Sequence, residues 1–177
     1  TGINKRFAEK CDFVTKEEFD SAFEAWGSEW AVFLCTIKEL SDLKKRYKLV
    51  SLSNVDEAGF AASSERLSVE FDAIYTAEDI GSYKPNLRNF EYMLHHLSED
   101  FGFEKRDVLH VAQSLHHDHV PARQIRLANV WIDRQNISRG GTDWKENNSG
   151  ATALVTESPK TDFLFYTMEA FARAAVK

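Results

Sequence analysis

From residue 48 onward the chain alternates between short apolar runs and amphipathic stretches, and each apolar run stops at small or charged residues. Lys48-Leu49-Val50-Ser51-Leu52-Ser53-Asn54 is the first run and Asp72-Ala73-Ile74-Tyr75 the second. Val108 to Ala112 is the third and Asn129 to Asp133 the fourth. Runs this short, bounded by turn-forming residues, have the length of buried strands rather than of helices. Between them lie helical patterns. One covers Glu57 to Val69, one starts just after Pro85 with Leu87, Phe90, Leu94 and Leu97 on a face, and one covers Val120 to Leu127. Alternation of strand and helix predicts an α/β fold: a Rossmann-like parallel sheet with helices on both faces, three layers in all. Ala153 to Val155 reads as a short last strand and Asp162 to Val176 as a closing helix.

The stretch before residue 35 stands outside this alternation. Thr15-Lys16-Glu17-Glu18 has the form of a capping box, and Phe19, Ala22, Phe23, Trp26 and Trp30 follow at helical spacing. A second helix carries Ile37, Leu40, Leu43 and Tyr47 on one face and ends in Lys44-Lys45-Arg46. Basic residues suit a helix C-terminus, where the macrodipole is negative.

Parallel strands joined by helices all point one way, so the loops after them meet at one edge of the sheet, where ligands bind. Those loops hold Ser53-Asn54, Thr76 to Lys84, Gln113 to Asp118 and Asp133-Arg134. Ser53 and Asn54 offer donors to an oxyanion or a substrate carboxylate, or else a cap to the next helix. Lys84 precedes Pro85, which fixes the start of the following helix and turns the lysine back toward the sheet edge. There its ammonium stabilises a cluster of anions; a lysine in a loop is otherwise simply solvated. Asp118 sits among His110, His116, His117 and His119. A zinc site would use His116, His117 and His119 with Asp118. Adjacent loop residues point in different directions, however, and zinc sites are built from spaced pairs. The histidines are therefore expected on loop and helix surfaces, with no metal role.

Charge and composition exclude some classes of partner. The 177 residues carry a net charge of −6 and contain no basic run, which argues against nucleic acid or an anionic membrane as partner. No apolar run is long enough to span a bilayer. Cys11 and Cys35 form no disulfide framework and no CxxC motif, so a reducing, cytoplasmic setting is expected.

Taken in order, strand-Ser-Asn, Lys-Pro and strand-x5-Asp resemble the haloacid dehalogenase-like (HAD) superfamily of hydrolases, and most closely its type II haloacid dehalogenase branch. The resemblance rests on Arg46 to Asp56, on Ile80-Gly81-Ser82-Tyr83-Lys84-Pro85 and on His110 to Arg134. It covers about residues 35–177. It implies a helical-cap remnant over residues 1–34 and a HAD-like core over 35–177 that lacks its first strand. That strand ends in the family's nucleophilic aspartate, and no stretch before residue 48 matches it. The resemblance further implies hydrolysis of a small-molecule substrate through a covalent aspartyl intermediate. Ser53 and Asn54 would bind the oxyanion or substrate carboxylate, Lys84 would keep the nucleophile ionised, and Asp118 would orient Lys84 or the hydrolytic water.

Three positions depart from the pattern. Gln113 stands where magnesium-dependent phosphatases of the superfamily carry an acid, so no cofactor is expected; were Mg²⁺ used, Asp118 would be its ligand. Leu115 and Phe90 stand where the dehalogenases commonly have Asn and Tyr, which puts a 2-haloacid substrate in question. The expectation is a hydrolase whose present chain is inactive alone, and which associates with itself or with a nucleophile-bearing half. The alternatives are a non-catalytic interaction protein of the same fold and a Mg-dependent small-molecule phosphatase.

Overall fold

The computed structural model describes residues 34–134, 138 and 159–177. The expected cap segment lies outside the described residues apart from Leu34. So do the Thr15–Glu18 box and the strand expected at Ala153–Val155.

In chain order the elements are α1 (Leu34–Lys44), β1 (Val50–Ser53), α2 (Glu57–Leu67), β2 (Ala73–Thr76), α3 (Ala77–Ile80) and α4 (Leu87–Phe101). A 3₁₀ turn (Lys105–Asp107), β3 (His110–Ala112), a π-helical turn (Leu115–His119) and α5 (Val120–Gln124) come next. β4 (Asn129–Ile132), β5 (Phe163–Phe165) and α6 (Met168–Ala175) complete the described chain. Every strand pair is parallel: β1 with β2, β3 with β4, and β4 with β5. Two apolar clusters lie on the two sides of the strands. Tyr75, Ile80, Phe90, Met93, Leu97 and Leu127 pack beneath α4 and α5. Leu43, Val130, Ile132, Phe171 and Ala172 pack beneath α1 and α6. Helix layer, strand layer and helix layer make the α/β, Rossmann-like architecture read from the alternation.

Among the described residues, β1 and β2 are one unit and β3, β4 and β5 another. β1 and β3 both border a cleft of about 900 Å³, lined by Val50 and Leu52 on one side and Val111 and Ala112 on the other.

Two boundaries differ from the sequence reading. Phe163–Phe165 is a strand, and the closing helix begins only at Met168. The run Phe163-Leu164-Phe165 pairs with Val130, Trp131 and Ile132, and Thr167 then caps the helix by accepting from the Ala170 N–H at 3.0 Å. Tertiary pairing outweighs the helical spacing of these aromatics. The helix expected from Val120 to Leu127 ends at Gln124, because Arg126 adopts a left-handed backbone with φ of 56°. Before it, the turn from Leu115 widens to a π-helical coil that carries Asp118 inward.

Candidate active site

Lys84 sits in the loop between α3 and α4, and both ends of that loop are built tightly. Thr76 and Asp79 form a reciprocal capping box at the start of α3, and Gly81, with φ of 66°, ends it in the conformation glycine adopts most cheaply. Asn86 caps α4, and the buried Asn89 reaches back to Ser82 Oγ at 3.2 Å. Between these anchors, Asn54 grips the backbone of Lys84 from both sides. Its Oδ1 accepts from the Lys84 N–H at 2.7 Å, and its Nδ2 donates to the Lys84 carbonyl at 3.0 Å. The Asn after β1, read from sequence as a substrate ligand, thus holds the lysine's main chain.

The ammonium of Lys84 donates to the Leu52 carbonyl at 2.8 Å and to Asp118 Oδ1 at 2.7 Å. His110, on β3, places its Nε2 3.1 Å from the same oxygen. Side-chain exposure is 11% for Lys84, 11% for His110 and 8% for Asp118, and all three line the cleft. Burial pushes the Asp118 carboxyl upward, but the His110 hydrogen bond and the Lys84 charge outweigh it, so the group is held well below the usual carboxylate range. Asp118 is therefore an ionised acceptor rather than a proton carrier near neutrality. Ser53 ends β1 at the same edge, and its hydroxyl has no hydrogen-bond partner among the described residues.

The histidines correct the sequence reading. His110 and His119 are interior, not surface, residues. His119 is 0% exposed, with Nδ1 3.1 Å from Asn129 Oδ1 and Nε2 3.0 Å from the Ala112 carbonyl. Burial lowers its affinity for a proton. His117 Nδ1 lies 3.0 Å from Ser114 Oγ and stiffens the turn. A signal for His110 was present: a titratable residue inside an otherwise apolar strand must find a polar partner once buried. Phe90 is fully buried with its ring against His110 at 5.2 Å, and Leu115 is buried, so neither brings a polar group to the site.

Among the described residues no group of three His, Cys, Asp or Glu side chains is placed to hold a metal, and Asp118 Oδ1 is already shared by two nitrogen donors. Also among them, no helix is long and apolar enough to cross a membrane.

No protein-family model matches the chain, and no curated protein matches it. Solved structures do. A HAD phosphatase from Thermococcus onnurineus aligns with a TM-score of 0.65 at 20% identity, over 97% of this chain and 69% of that one. The L-2-haloacid dehalogenase from Xanthobacter autotrophicus, with chloropropionic acid covalently bound, gives 0.71 at 15% identity, over 94% of this chain and 70% of that one. YfnB from Bacillus subtilis, described as a HAD-hydrolase bound to magnesium, gives 0.59 at 15% identity, over 77% and 52%. The fold of this chain is the α/β fold shared by haloacid dehalogenases and HAD phosphatases.

Proposed function

We propose that the chain is the Lys–Asp half of a metal-independent, HAD-like hydrolase acting on a small molecule through a covalent aspartyl intermediate. The observation that carries this reading is the Lys84 ammonium. It sits at the carboxyl end of the cleft between β1 and β3, fixed by Leu52 and Asp118, with one N–H unclaimed among the described residues. A strand lying in that cleft parallel to its neighbours would bring the residue at its own carboxyl end to this N–H. An aspartate there would be kept ionised by the adjacent cation.

The chemistry then runs in two steps. A carboxylate oxygen attacks the carbon bearing the leaving group, and that group departs with its electron pair. Water next adds to the carbonyl carbon of the enzyme ester. The product alcohol leaves with the aspartate's original oxygen, and the aspartate retains an oxygen from water. Asp118, being a weak base, positions Lys84 rather than accepting the water's proton; one proton of the water passes to the departing alkoxide oxygen to give the alcohol, and the other is released to solvent as the aspartate returns to its ionised form. The Ser53 hydroxyl, without a partner among the described residues, is available to the substrate carboxylate or oxyanion.

No residue of this sequence is assigned as the nucleophile, so the 177-residue chain alone should release neither halide from 2-haloacids nor phosphate from monoesters. Supplying an aspartate-ended strand should restore turnover and, in ¹⁸O-water, label that aspartate's carboxyl group. Turnover by the chain alone above that of a Lys84→Ala variant overturns the reading. A non-catalytic protein of the same fold, which the unmatched nucleophile favours, would stay silent with the strand supplied.

A further inference from the structure

Among the described residues, β2 is paired on one side only. Its sheet neighbour is β1, and β1 stands between it and the cleft. Successive residues of a strand turn their N–H and C=O groups to opposite sides. The Asp72 N–H donates to the Leu49 carbonyl, so Ile74 and Thr76 also face β1, while Ala73 and Tyr75 present their groups to the open edge. No described residue bonds them. Beside this edge runs a groove of about 1060 Å³ between β2 and α2. Its floor is apolar: Phe60 and Val69 are buried there, and Ile74 of β2 is left 41% exposed. Its rim is acidic, with Glu57 and Glu65 on α2, Glu70 before β2 and Asp79 after it, all exposed. Among the described side chains, no lysine or arginine lines the groove or pairs with any of the four. The Glu57 carboxyl is pushed upward by its hydrogen bond with Asp79 and by the charges of Asp79 and Glu78. These carboxylates crowd one another with no cation to offset them.

We infer that the open edge of β2 and the groove beside it dock an extended peptide with an apolar middle and a lysine or arginine at each end, added to the sheet as a strand. The main-chain groups of Ala73 and Tyr75 supply the hydrogen bonds of the new ladder. Alternate side chains of the added strand fall on Phe60, Val69 and Ile74. Glu70 lies at the amino end of β2, and Asp79 with Glu57 at its carboxyl end, so a cation at either end of the peptide meets an acid. A second copy of the chain would bring its own acids to the same edge, where like charges repel. Charged residues beside an edge strand guard it against self-pairing in this way, and acids leave it open to a basic segment. The surface owes nothing to Lys84 or Asp118.

The probe is the peptide Arg-Val-Ile-Val-Arg, blocked at both termini, with Glu-Val-Ile-Val-Glu as its charge-reversed counterpart. Titration of the purified chain followed by amide NMR reads affinity and location together. The basic peptide should shift the amide signals of Ala73 to Thr76 and slow hydrogen exchange at Ala73 and Tyr75. Its affinity should fall severalfold as salt is raised from about 0.05 to about 0.3 M. The double variant Glu65→Lys/Glu70→Lys changes only exposed side chains and should weaken binding about tenfold. Ala73→Pro removes one outward N–H from the first residue of an edge strand, where proline is tolerated, and should weaken it about fivefold. Equal affinity for the two peptides, shifts confined to β3 and the cleft, or no shift at about 1 mM peptide overturns the inference. So does protection of Ala73 and Tyr75 without peptide. Protection that grows with chain concentration means that a second copy holds the edge, and protection that does not means that another segment of the same chain holds it.

Discussion

Lys84 and Asp118 were legible because each follows an apolar run at the edge where parallel strands discharge their loops. His110 was legible only as a strand residue in need of a polar partner, because five residues from Val108 to Ala112 read as a strand whatever side chain stands in the middle. What a strand histidine touches depends on a turn eight residues later. The same blindness hid Asp72. Its carboxylate accepts from Lys44 Nζ, from Lys48 Nζ at 3.0 Å and from the Leu49 N–H at 2.8 Å, tying the end of α1 to the start of β1. The Lys44 hydrogen bond, against burial and with help from Leu49 and Lys48, holds the Asp72 carboxyl well below its usual range. Its folded-state pKa is thus depressed. Its contribution to stability is complete above the unfolded value of about 3.9 and is lost as pH falls through the lower folded value. Asp72→Asn should lower stability by about 2 kcal/mol near neutrality and flatten the acid limb of stability against pH. Urea unfolding at a series of pH values measures both effects, and an unchanged acid limb would refute this account of Asp72.

Elements were read well where their periodicity was the deciding force and poorly where pairing or backbone strain decided. β1 to β4 and α4 fall close to their expected places, because buried parallel strands and a capped amphipathic helix declare themselves locally. β5 did not, since Phe163, Tyr166, Ala170 and Phe171 also satisfy a helical spacing. Only the proximity of β4 decides for a strand. The end of α5 was misplaced for a different reason: nothing in the apolar pattern marks Arg126 as left-handed. Arg126 is exposed, so its side chain contributes little packing, while its Cβ crowds the backbone. Arg126→Gly should therefore raise stability by up to about 1 kcal/mol. That corresponds to roughly 2–4 °C in melting temperature for a chain of this size. A lower melting temperature would mean that the entropic cost of glycine outweighs the relief of strain.

At the scale of the molecule, the open question is what lies between β1 and β3. Each unpaired N–H or C=O shielded from water costs about 1–3 kcal/mol, against a typical domain stability of roughly 5–15 kcal/mol. Leaving both facing strands unpaired would absorb much of that stability. Associating with a second copy, or with a strand-bearing segment, relieves the cost. Sedimentation of the purified chain together with its native mass is expected to show a species heavier than one chain, or one chain with a bound segment. A bare monomer that unfolds cooperatively at ordinary denaturant concentrations would count against the proposal.

The position of the ammonium has a further consequence. Lys84 is held by a carbonyl of β1 and by Asp118, which is steadied in turn by His110 of β3. The two strands that hold it are the two walls of the cleft. Under the proposed chemistry, the group that charges the nucleophile is in place only when those walls stand at the spacing of a completed sheet. Assembly and activation are then one checkpoint: a misassembled copy is a silent one, and turnover becomes a direct readout of whether the sheet has closed.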